Sequence, residues 1–121
     1  MKVVLSTYDK PWGTCFVLGG GNDYKVKKIV VNPNSRFSLQ YHKKRTEHWT
    51  IVEGSGTITL DDFSEEVKPG DSFYIPVGCI HRLKGGEDGI TFIEVQRGDC
   101  YEEDIVRIND DYGRVDKKTN F

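Results

Sequence analysis

Residues Arg36 to Gly56 read RFSLQYHKKRTEHWTIVEGSG, which sets Gln40, His42 and Glu47 within eight residues. Side chains two apart on an extended strand point to the same face. Gln40 and His42 therefore look one way, and Leu39 and Tyr41 the other. After the polar break Lys43-Lys44-Arg45-Thr46, Glu47 opens a second run, His48 to Val52, that ends near Gly54. An amide oxygen, an imidazole and a carboxylate then converge at one corner between two strands. A second stretch, Gly70 to His81, reads GDSFYIPVGCIH and supplies a fourth group. Pro-Val-Gly marks a turn after an apolar strand, and His81 stands just beyond it. Two imidazoles, one carboxylate and one amide oxygen form a nitrogen and oxygen set without a thiolate. Such a set suits zinc or another divalent first-row metal and leaves coordination positions open for water or substrate. The chain has three histidines, and all three fall inside these two stretches.

Working outward, 121 residues make one domain with a single core. A net charge of −2 gives no electrostatic case for nucleic acid or a membrane surface. No apolar run approaches the roughly 20 residues of a membrane helix, and the start MKVVLSTYDK is too short in apolar residues for a secretory signal. Cys15, Cys79 and Cys100 are odd in number and widely spaced, without a CxxC pair. They read as reduced thiols of a cytoplasmic protein, with Cys79 a small buried filler in preference to a group beside the metal.

Thirteen glycines and four prolines punctuate short β-rich runs, and no helical period stands out. Thr14 to Leu18 and Tyr24 to Val31 read as a hairpin around Gly19-Gly20-Gly21-Asn22-Asp23. That glycine run lacks the lysine and hydroxyl residue of a phosphate loop, so it reads as a turn. Turns are expected at Asn32-Pro33-Asn34-Ser35, Gly54-Ser55-Gly56, Asp61-Asp62 and Lys68-Pro69-Gly70-Asp71. Gly85-Gly86-Glu87-Asp88-Gly89 should precede a last strand, Ile90 to Gln96, with Phe92, Glu94 and Gln96 on one face. In the tail, Ile105, Val106 and Ile108 are expected to pack on the body, and Asp116 to Phe121 to fray. Regular short strands argue for an antiparallel sandwich or barrel. Exposed sheet edges and apolar outer faces point to a homodimer.

The spacing Gln40-x-His42-x4-Glu47-x6-Gly54, then Gly70-x5-Pro76-x-Gly78-x2-His81, resembles the two cupin motifs. Gln40 stands where most cupins have a first histidine, Asn34 where the first motif has glycine, and Gly85 where the second has asparagine. The resemblance implies an all-β double-stranded β-helix, the cupin jelly roll, over one domain, 1–121, and it too points to a dimer. A closer likeness is carried by Lys10-Pro11-Trp12-Gly13, SLQYHKKRTEHW (Ser38 to Trp49), YIPVGCIHRL (Tyr74 to Leu83) and IEVQRGDCYEEDIVRINDDYGR (Ile93 to Arg114). Together these resemble type II phosphomannose isomerase over residues 10–114. In that family the domain usually follows a sugar-nucleotide pyrophosphorylase domain. That part is absent here, so the expectation is a free-standing isomerase domain without guanylyl transfer.

The resemblance implies interconversion of mannose 6-phosphate and fructose 6-phosphate, a proton transfer between C1 and C2 through a cis-enediol. A metal at Gln40, His42, Glu47 and His81 would polarise the carbonyl; zinc leads, with cobalt, manganese, nickel or iron open. His48, Glu94 and Lys43 are candidates for the general base, though alternation turns His48 away from Glu47. The phosphate calls for forked cationic donors. Arg45, Arg107, Arg82 and Arg114 are the candidates, Arg45 and Arg107 first. Two other classes stay open: an iron-dependent oxygenase built on His42, Glu47 and His81, and a non-catalytic sugar-phosphate-binding cupin.

Overall fold

Two long strands of the chain lie antiparallel over their whole length. In the computed structural model, which describes residues 4–101 and 104–115, the elements in order are β1 (Ser6–Lys10), β2 (Gly13–Gly20), β3 (Tyr24–Val31), β4 (Leu39–Tyr41), β5 (Arg45–Leu60), β6 (Phe63–Val67), β7 (Ser72–Ile75), β8 (His81–Gly98) and β9 (Val106–Asn109). The long pair is β5 and β8, in register from Arg45↔Gly98 to Leu60↔His81. On its free edge, β5 takes β7 along one half and β6 along the other. The free edge of β8 takes β3 along one half and β4 at its start. The sheet runs β1-β2-β3-β8-β4-β9, with β6 and β7 attached through β5. Each long strand thus serves two walls, and the sheet curls into an all-β body with no helix among the described residues.

This corrects two of the expected turns. Gly54-Ser55-Gly56 lies inside β5 and Gly85 to Gly89 inside β8, and neither reverses the chain. The glycines are there because the paired strands bend past each other at close range. A Cβ on Gly54 would sit 2.2 Å from the Gly89 carbonyl oxygen, and one on Gly56 2.1 Å from that of Lys84. Gly54 and Gly89 also hold φ of 81° and 76°, where side chains are strained. Register shifts between Ile51 and Glu53 and between Gly54 and Gly56 mark the bend.

The remaining turns fall where the sequence puts them. Asn34 and Asp61 take left-handed φ of 56° and 54°, a region asparagine and aspartate tolerate better than other side chains. Asn34 therefore serves the turn that glycine serves in the motif. The β2–β3 hairpin forms as expected. Strand β1 went unread in the sequence; it pairs with β2 along its length. In the tail, β9 docks on β4. Ile108 points outward at 44% exposure, against expectation, because alternation turns Arg107 inward instead. The segment 116–121 lies outside the described residues.

The core follows from alternation. On β5 the inward residues are Ile51, Trp49, Glu47 and Arg45; on β8 they are Ile90, Phe92, Glu94 and Gln96; on β3, Val31, Ile29 and Lys27. Cross-strand register aligns these rows: Ile29 with Phe92 and Ile51, then Lys27 with Glu94 and Trp49. Going along the barrel, β3 and β8 switch from apolar to polar at Lys27 and Glu94, and β5 one inward residue later, at Glu47 opposite Gln96. Below this switch, Trp12, Phe37, Trp49 and Phe92 stack in sequence at centroid separations of 5.3, 5.9 and 4.6 Å. Burying side chains of this size is worth roughly 1.5–3 kcal/mol each, which holds the closed end while the polar end stays open.

Gly54→Ala is expected to destabilise the protein by more than about 1 kcal/mol, through strain at positive φ plus contact with backbone that cannot yield. Gly70→Ala, at φ 95° with nothing within 4 Å of the added carbon, should cost only the strain. Urea denaturation of both variants checks this, and equal losses would contradict the close crossing.

Candidate metal centre

His42 leaves the barrel wall just after β4, Glu47 sits in the first turn of side chains on β5, and His81 begins β8. Their Nε2 and carboxylate atoms all lie within 4.8 Å of one another. His42 Nε2 is 3.3 Å from Glu47 Oε2, and His81 Nε2 is 3.7 Å from Glu47 Oε1. The other nitrogen of each ring is tied down: His42 Nδ1 pairs with the Asp104 carbonyl, and His81 Nδ1 with the Cys79 carbonyl at 3.0 Å. A carbonyl only accepts, so both rings carry their hydrogen on Nδ1 and turn an Nε2 lone pair toward Glu47. The Asp104 carboxylate further fixes the turn by accepting from the Lys43 and Lys44 amides at 2.9 and 2.8 Å.

Both imidazoles are neutral at pH 7. Burial pushes His81 down to about 4, and burial together with the Arg45 charge does the same to His42. In the metal-free fold both therefore resist protonation that the unfolded chain accepts from about 6.5 downward. Stability contributed here is present above 6.5 and lost as pH falls toward about 4. His81 Nε2 is buried and has no hydrogen-bond partner. Such an orphan is costly unless something takes its lone pair. Two neutral imidazoles with fixed tautomers, one carboxylate and a lone pair lacking a partner fit a divalent first-row ion.

Of this set, Glu47 lines a solvent-open cavity whose wall runs from the aromatic floor of Trp12, Phe37 and Phe92 to the polar residues beyond it. Gln40 lines it, with its amide oxygen accepting from the Ser38 hydroxyl at 2.5 Å. Glu94 lines it at 4% exposure, held by Trp49 Nε1 at 3.2 Å and by the Gln96 amide. Burial, with the nearby Glu47 charge adding to it, raises the Glu94 carboxyl to about 7. Its sign is opposite to that of the imidazoles: stability falls as pH rises from about 4.5 to about 7.

The cations divide. Arg107 and Arg114 line the cavity, Arg114 bound to Asp110 at 2.8 Å. Arg45 also lines it, but its guanidinium faces the metal set. Arg82 stands apart from the cavity lining: it donates to the Phe37 carbonyl at 2.9 Å and to Asn109, stapling β8 to β9. His48 is exposed on the outer face against the Tyr74 ring, 4.7 Å between centroids, because each step along β5 reverses the side. Lys43 is exposed on the turn and lines a different surface hollow with Tyr101 and Asp104. The structure thus does not bring His48, Lys43 or Arg82 to the cavity.

Sequence reasoning missed Lys27 and Lys10, which line it and hold their ammoniums 5.4 and 5.1 Å from the Tyr8 ring centre. Lys27, at 3% exposure, was legible: it shares the alternating face of β3 with Ile29 and Val31.

Residues 2–110 match the family described as mannose-6-phosphate isomerase C-terminal. The chain belongs to this family. It is 41% identical over 108 residues to the alginate biosynthesis protein AlgA of Pseudomonas aeruginosa, covering 88% of this chain and 22% of that protein. It is 40% identical over 108 residues to mannose-1-phosphate guanylyltransferase of Escherichia coli, covering 88% and 23%. The chain therefore spans less than a quarter of the length of these relatives. Among solved structures, oxalate decarboxylase from Bacillus subtilis superposes with a TM-score of 0.75 at 22% identity, over 85% of this chain and 30% of that one. A cupin-superfamily sugar phosphate isomerase from Silicibacter pomeroyi gives 0.65 at 24%, over 71% and 59%. At these identities the likeness shows the fold, and the curled sheet of this family member is the cupin fold.

In chelated protein, His42 and His81 should keep neutral, Nδ1-protonated rings from pH 7 down to 5. Long-range proton–nitrogen NMR of the imidazoles reads both tautomer and titration. Ordinary titration of both near 6.5 would contradict the buried arrangement.

Proposed function

We propose that this domain is a metal-dependent aldose–ketose isomerase that interconverts mannose 6-phosphate and fructose 6-phosphate, as an intracellular enzyme. The observation that carries the reading is one cavity in which Glu47, the carboxylate of the His42–Glu47–His81 set, meets a buried carboxyl, Glu94, and several cations. The family match to mannose-6-phosphate isomerase supports the sugar. His42, Glu47 and His81 would hold the ion, with the Gln40 amide oxygen beside them. When bound, it supplies Lewis-acid stabilisation for the negative charge that develops on the sugar oxygens.

The chain's own residues do the rest. A carboxyl near pH 7 in its titration is matched to both halves of a proton relay. Glu94 takes the proton from C2 of the open-chain aldose as the C1=C2 bond forms and negative charge passes to O1. The hydroxyl proton of O2 moves to O1, and Glu94 returns its proton to C1 as the C2=O2 bond forms, which yields the ketose. Trp49 Nε1 and the Gln96 amide donate to the Glu94 carboxylate and aim it. Arg107 and Arg114, with Lys10 and Lys27, surround the cavity and suit a dianionic phosphate far better than a neutral sugar. That group of cations also favours a phosphorylated substrate over the iron oxygenase that the same ligand set would permit.

Glu94→Gln should lower kcat by about 10²–10⁴-fold and leave metal content unchanged. Arg107→Ala should lower kcat/KM about ten- to hundredfold, the worth of one charge-assisted contact, also with metal retained. Steady-state kinetics beside elemental analysis of the same samples checks both. Unchanged kinetics in Glu94→Gln would remove it as the base, and sugar-phosphate binding without turnover in the wild type would make the domain a binding module.

A further inference from the structure

Arg45 is the one cation of the cavity drawn into the ligand set itself. It is 5% exposed, and its Nε donates to Glu47 Oε2 at 3.0 Å. Its Nη2 lies 3.2 Å from His42 Nε2, and its Nη1 donates to the Tyr101 carbonyl at 3.2 Å. The partner atom on His42 matters. A group that merely orients a ligating imidazole sits on the nitrogen away from the metal, and on His42 that place is already taken by the Asp104 carbonyl. Arg45 occupies the ligating nitrogen.

The Nε2 of a neutral ring has one in-plane lone pair, which serves an N–H or a metal ion but not both. The same guanidinium takes an oxygen of the one carboxylate in the set. Arginine keeps its charge at every accessible pH, so it cannot step aside by losing a proton, and its charge repels an incoming cation.

We propose that the Arg45 guanidinium holds the metal's place: it neutralises Glu47 and caps His42 in the metal-free protein, and must leave both before an ion binds. This inference rests on the metal-site reading above. It gives a reason for the location of a charged side chain that the sequence alone assigns to the substrate phosphate. It also explains how a carboxylate at 1% exposure is tolerated before metal arrives.

The test is zinc affinity of Arg45→Met and wild type, read by competition with a chromophoric chelator. Methionine keeps the length and removes donors and charge. The expected result is zinc binding about tenfold or more tighter in Arg45→Met, the worth of a lost charge-assisted contact. The metal-free variant should be less stable than wild type and gain more in Tm on zinc addition. Equal or weaker zinc binding by folded Arg45→Met overturns the proposal.

If the variant does not fold without metal, the wild type decides. The Arg45 Nε–H signal in a proton–nitrogen spectrum should lose its exchange protection with one equivalent of zinc. An unmoved, still protected signal while zinc binds overturns the proposal. A wild-type chain that takes up no zinc at all overturns the metal site itself, a result distinct from either.

Discussion

A carboxylate buried to 1% exposure is the constraint on which the polar end of this barrel depends. Glu47 is expensive to remove from water unless charges and donors meet it. Two donors do, Arg45 Nε at 3.0 Å and Trp49 Nε1 at 3.1 Å, while the Nε2 lone pairs of His42 and His81 stand 3.3 and 3.7 Å away and leave room for a cation. Each comes from a place fixed by strand alternation or by a backbone carbonyl clamp on a ring. The Trp49 indole does two jobs at once. Its ring packs on Phe92 and closes the core, while its N–H reaches Glu47 and Glu94 together.

The site exists because three strands change character within one inward residue of each other. Ile51 and Trp49 give way to Glu47 and Arg45, Ile90 and Phe92 to Glu94 and Gln96, and Ile29 to Lys27. Register brings those substitutions side by side. The apolar half supplies a rigid, close-packed floor, and the polar half hangs from it. Close approach of β5 and β8 at Gly54 and Gly56 bends the ribbon so that both halves belong to one curled wall.

Much of this was legible in the residues. The Gln40, His42, Glu47 and His81 spacing pointed to the polar corner, and alternation turned His48 away from Glu47 and set Glu94 on one face with Phe92 and Gln96, as the fold has them. What local reading could not supply was strand continuity. Gly54-Ser55-Gly56 carries every turn signal, yet long-range pairing with β8 keeps the chain extended through it. Arg45 was equally opaque: its composition says phosphate ligand, and only the folded contact with His42 Nε2 places it on the metal set. Lys10 and Lys27 reach the cavity through β1 and β3, strands distant in sequence from both motifs.

The most direct measurement is a coupled assay of mannose 6-phosphate turnover on one preparation, before chelation, after chelation and after reloading, with metal analysis at each stage. The account predicts about one divalent ion per chain, turnover lost with that ion, and turnover regained with it while the fold persists throughout. Full turnover in protein stripped of metal, or none in folded protein carrying one ion per chain, would contradict it.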